Sequence, residues 1–240
     1  MIELVFVIAI IGVISLMIAP IFQHNNLRYA ADQLVSHIRY TQHLAMMDNK
    51  FVPSESMSNM PTGSNTACNK RGANNKKKCN AKFWYLGRWQ IKFSNEWYSI
   101  MSDSANSSYD GNPNASNIRI EVAKDFIDTD KYLIGSNASY FFSERKPERV
   151  NENLNLNSRY GIKKVLISGG TNSSAKRVIF DNLGRPYRGD TKLSNSGYLK
   201  NSIDGLATTR ITIVLCNTSN CSDKNATIAI EPETGYVHVI

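Results

Sequence analysis

The chain has 240 residues, 42% hydrophobic and 20% charged, a balance that excludes an intrinsically disordered polymer and allows one sizeable core. A net charge of +8 and a pI near 9.3 favour anionic partners such as nucleic acid, lipid headgroups or acidic proteins, and say nothing about fold.

The first element is a helix. From Met1 to Phe22 the clearly polar residues are Glu3 and Ser15. At about 1.5 Å per residue this run is roughly 30 Å long, one hydrocarbon thickness, and it is expected to span a membrane. A cleaved signal peptide fits poorly, because no basic region precedes the run and no small-residue cleavage site follows it. The run continues into a helical stripe of Leu27, Ala31, Leu34, Ile38 and Ala45, spaced by three, four and seven. One helix over residues 2–49 is predicted, with 1–22 its transmembrane half, 23–50 its amphipathic half, and Pro20 a point of kinking. A carboxylate at Glu3 in such surroundings needs either a partner or a place at the headgroups.

Residues 51–240 are expected to form one β-rich domain. Segments 52–80 and 102–117 are rich in Ser, Asn, Gly and Pro and read as loops. Between Ser56 and Asn95 there is no acidic residue, while Lys70, Arg71, Lys76, Lys77, Lys78, Lys82, Arg88 and Lys92 fall there. Such a concentration can neutralise phosphates, and the neighbouring Phe83, Trp84, Tyr85 and Trp89 can stack on bases. The plainer alternative makes these aromatics strand core and the lysines solvated; a third faces the loop toward acidic neighbours or headgroups. AKFWYLGRWQIKFS and EWYSIM read as a hairpin; IRIEV, SYFFS and KKVLIS are further strands. RITIVL (210–215), ATIAIE (226–231) and YVHVI (236–240) are short β-branched runs, with PETG (232–235) as a reversal. The cysteines form two local pairs, Cys68 with Cys79 and Cys216 with Cys221, which read as disulfide loops in an oxidising compartment. Zinc is the rival reading, and the spacings do not form the usual knuckle.

The stretch MIELVFVIAIIGVISLMIAP resembles the N-terminal helix of type IV pilins and type II secretion pseudopilins. Glu3, Gly12 and Pro20 fall at that family's spacing if two mature residues precede Met1. The second half of the helix, RVIFDNLGRPYR (177–188) and the closing hairpin resemble the GspH/FimT branch of minor pilins, while 52–176 matches nothing in it. The resemblance implies an α+β fold, with a long N-terminal transmembrane helix packed on an antiparallel sheet domain. It implies processing and methylation by a prepilin peptidase, and a single-pass inner-membrane protein with its domain in the periplasm, later built into a filament or its tip. Partners would be other pilin or pseudopilin subunits, and Glu3 would set register against a neighbour's N-terminal amine, as a buried polar residue does in a coiled coil. The expected function is a structural minor pilin of a type IV pilus, type II secretion or competence filament. The alternative is a minor pilin that binds DNA for natural transformation. The branch's Gly-Arg DNA motif is not cleanly present, so the DNA candidates are Lys70, Arg71, Lys76, Lys77, Lys78, Arg185 and Arg188.

Enzyme chemistry is not expected, and neither is a cofactor. His24, His37 and His43 lie on the helix and His238 on the last strand, and no HExxH, GxSxG or P-loop pattern occurs. ISGGTNSS (167–174) reads as a strand connection. DKNAT (223–227) fits an extended bacterial N-glycosylation pattern, making Asn225 a candidate modification site.

Overall fold

The computed structural model describes residues 2–51, 84–94, 96–103, 111–112, 121–135, 149–171, 174–192 and 197–240; within the first helix, side chains are described at 4, 6–8, 10–12 and 26–47. Helix α1 spans Ile2–Met47. Among the described residues two four-stranded antiparallel sheets follow. The first contains β1 (Trp89–Phe93), β2 (Tyr98–Ser102), β4 (Arg177–Phe180) and β5 (Pro186–Tyr187), in the order β2-β1-β4-β5. The second contains β3 (Lys164–Gly169), β6 (Ile211–Cys216), β7 (Asn225–Ile230) and β8 (Val237–Val239), in the order β3-β6-β7-β8. A short helix α2 (Leu156–Tyr160) precedes β3. Its Asn155 cap accepts from the Ser158 amide, and Gly161 ends it in a left-handed conformation.

The architecture is mostly β, and this corrects the expected pilin-like α+β arrangement with a transmembrane helix. Among the described residues no helix is long and apolar enough to cross a membrane. The part of α1 whose side chains are described without a break, 26–47, carries Arg28, Asp32, Gln33, His37, Arg39, Gln42 and His43, polar groups on every turn that suit the docking expected of 23–50 and offer no span. The same finding overturns placement as a single-pass inner-membrane protein.

The second half of α1 docks as its periodicity requires. Leu27, Ala30, Ala31, Leu34, Ile38 and Ala45 are buried against Ile91, Phe93, Val178 and Phe180 of the first sheet and Ile211, Ile213, Ile228 and Ile230 of the second. In β6, Ile211, Ile213 and Leu215 are buried and Thr212 and Val214 half-buried, the alternation of a sheet covered on one face. The hairpin read from 81–101 closes as β1–β2, with Ile91 opposite Ile100. Its first residues differ from expectation: Trp84–Gly87 form a 3₁₀ turn, which buries Tyr85 and Leu86 under a smaller core with Ile179, Tyr187 and Leu199. Of IRIEV, the described Val122 makes a single bridge to Met101, and SYFFS lies outside the described residues.

The two sheets are joined at α1. The Gln42 side-chain amide donates to Gly184 O at 2.8 Å and Thr234 O at 3.0 Å, bringing the β4–β5 and β7–β8 turns together. Gly235 permits this approach: its φ is +65°, and a Cβ there would stand 2.4 Å from Gly184 O.

Candidate functional site

Among the described residues, the first turns of α1 carry the largest group of exposed apolar side chains. Leu4, Phe6, Val7, Ile8 and Ile10 are each more than half exposed. Apolar surface of that kind in a helix calls for a cover, because single exposed residues are ordinary but contiguous ones mark an interaction face. Gly12 lies on the same stretch, exposed, with no atom within 4 Å of where a Cβ would be. Glu3 and Pro20 are within α1, and their side chains lie outside the described residues.

The opposite end of α1 is fastened by polar groups that the sequence reading did not single out. Tyr98 Oη lies 2.7 Å from His37 Nδ1 and accepts from Gln33 Nε2 at 2.8 Å. Gln33 also accepts from Tyr160 Oη at 2.5 Å and donates to Asn153 O at 2.9 Å. Burial pushes the His37 pKa down to about 4, against a smaller opposing pull from Asp125, and pushes the Tyr98 phenol up. These groups join α1 to β2 and α2 and hold the imidazole neutral. A helical histidine three positions from a buried leucine was the available signal, and sequence spacing alone could not supply Tyr98 as its partner.

The candidate DNA contacts are not gathered into one surface among the described residues. Arg188 is 2% exposed and donates to Gly169 O at 3.1 Å and Ala175 O at 2.9 Å; burial lowers its pKa. Its charge is spent on holding loop carbonyls, which corrects its assignment to a nucleic-acid surface. Arg185 is partly exposed and donates to Asp181 through both Nε and Nη2 at 2.8 Å. Arg88, part of the basic stretch, is 6% exposed and lies over the Trp84 and Tyr187 rings at 4.9 and 4.6 Å, so it too is withdrawn. Tyr85 and Trp89 are buried, the plainer of the two roles considered for them. Lys70, Arg71, Lys76, Lys77, Lys78 and the pair Cys68–Cys79 lie outside the described residues.

Cys216 and Cys221 form a disulfide with a Cα–Cα distance of 5.1 Å, closing the loop between β6 and β7. Asn225 is exposed at the start of β7, beside that loop and opposite Cys216. Among the described residues no group of three His, Cys, Asp or Glu side chains could hold a metal ion. An open groove of about 470 Å³ runs between α1 and β8, lined by Asp32, Val35, Ser36, Arg39, His238 and Val239.

No family model, no curated protein and no solved structure matches the chain.

Proposed function

We propose that this chain is a structural subunit of a protein filament of the pilin or pseudopilin class. The observation that supports this reading is the exposure of Leu4, Phe6, Val7, Ile8 and Ile10 on a helix whose other half is anchored in the domain by both sheets. A helix held rigidly at one end and apolar at the other is suited to packing against equivalent helices of neighbouring subunits. Burial of these side chains by protein would contribute about 1.5–3 kcal/mol each. Glu3, ahead of this run, would then fix the axial register of one helix on the next, a carboxylate in an apolar contact being tolerated only where a cation meets it. The test is incorporation. Glu3→Ala is expected to leave the domain folded and to remove the chain from the sheared filament fraction of its host. Recovery of the variant in that fraction at the wild-type level would refute the proposal.

A further inference from the structure

Each sheet of an antiparallel protein has two edges, and an edge strand turns half of its backbone N–H and C=O groups outward. Among the described residues, two of the four edges are met by backbone bridges and a third faces α1. The β2 edge is bridged by Ile134 at Ser99 and by Val122 at Met101. The β5 edge is bridged by Leu206 at Tyr187, with Ala207 N donating to Pro186 O. The β8 edge lies against α1, where Arg39 Nη2 donates to Val237 O at 2.8 Å. The fourth edge, β3, pairs with β6 on one side through six residues, Lys164 to Gly169, and no other strand or bridge meets it among the described residues.

This edge lacks most of the devices that keep edge strands solitary. It has no proline and no bulge within the six registered pairs, and its centre is apolar. Val165 is buried, Ile167 packs on the core as a half-buried residue, and Leu166 is 40% exposed on the other face. Its guard is charge: at the far end the Arg188 guanidinium is engaged on Gly169 O, and at the near end Lys163 precedes the strand, Lys164 begins it, and the register sets Lys164, Cys216 and Asn225 side by side, which brings the exposed Lys224 to the same end of the sheet. The far end is Gly169–Gly170.

We propose that β3 is a docking edge for an extended segment of another protein, one that adds as a fifth strand and carries carboxylates at the end lying beside Lys163, Lys164 and Lys224. Backbone hydrogen bonds to β3 would supply the docking, apolar side chains opposite Val165 and Ile167 would extend the core, and the lysines would select the acidic end. A second copy of this chain is the less suitable occupant, because the chain's net charge of +8 opposes self-association and its own β3 brings only lysines. This docking does not depend on the proposed filament role.

The test uses the full chain and two labelled peptides with the same alternating Thr-Val-Thr-Ile-Thr-Val core. One carries two Glu residues at each end and the other two Lys. Binding is followed by fluorescence polarisation in about 50 mM salt, where charge selection is weakly screened. The acidic peptide is expected to bind about tenfold or more tighter than the basic one, a preference that Lys163→Glu with Lys164→Glu reverses. Amide hydrogen exchange at 164–169 is expected to slow on binding, with no change in β8. Equal affinity for both peptides, no binding of either, or protection elsewhere would overturn the proposal. So would self-association that protects 164–169 without peptide, because the occupant would then be a second copy.

Discussion

His37 lies 6% exposed with its Nδ1 on Tyr98 Oη, and its pKa falls from the ordinary 6.5 to about 4 because burial disfavours the imidazolium. Between those two values the unfolded chain binds more protons than the folded one. Stability from this group is therefore complete above pH 6.5 and is lost as pH falls toward 4, by about 3 kcal/mol over that window. Urea midpoints measured at pH 7 and pH 4.5 are expected to show the loss, and His37→Gln to flatten it. Asp181 is a second residue-scale case. It is 1% exposed and accepts from the Leu183 and Arg185 amides, the Arg185 guanidinium and Tyr187 Oη. Truncation leaves the buried Tyr187 hydroxyl and the part-buried Leu183 and Arg185 donors without this acceptor, so Asp181→Ala should cost about 3 kcal/mol by chemical denaturation. An effect below about 1 kcal/mol would show that water replaces the carboxylate.

At the scale of elements, α1 was the most legible part of the chain and also the source of the largest correction. The stripe Leu27, Ala31, Leu34, Ile38 and Ala45 is buried as its spacing requires, since a 3.6-residue repeat places these residues on one face. Leu34 is fully buried between the sheets, and Leu34→Ala is expected to lower unfolding free energy by about 3 kcal/mol, the cost of lost transfer energy plus a cavity. The membrane assignment rested on the apolar length of 1–22 and on the pilin resemblance; among the described residues no helix is apolar over a membrane's length, and Gln33, His37, Arg39 and Gln42 are spent on the domain. Strands β6, β7 and β8 were legible because β-branched residues alternate and Pro232–Gly235 breaks the run. The turn at Trp84–Gly87 was not, because aromatic residues suit a strand and a buried turn equally well.

For the molecule as a whole, two closures tie distant parts of the chain together: the disulfide between β6 and β7, and the two turns that meet at Gln42. The Cys216–Cys221 bond closes a short loop, and the loop-entropy relation gives about 2 kcal/mol for it. Replacing both cysteines with alanine should lower the melting temperature by several degrees while leaving the far-ultraviolet dichroism unchanged. Loss of folded signal would instead mark the bond as necessary for pairing of β6 with β7. Gly235→Ala should loosen the meeting of the two turns at Gln42 and lower the melting temperature similarly, since the added methyl would meet a carbonyl.

The sequence by itself determined the repeat along α1, the alternation and turns of the C-terminal strands and the pairing of Cys216 with Cys221, because each of these depends on near neighbours in the chain. Only the tertiary structure decided which sheet each strand joins, that Arg88 and Arg188 are buried supports, that His37 meets Tyr98, and that β3 pairs with β6 on one side only among the described residues. These depend on contacts between residues tens to hundreds of positions apart. Such contacts are set by how two sheets and a helix share one core, and local spacing carries no record of that arrangement.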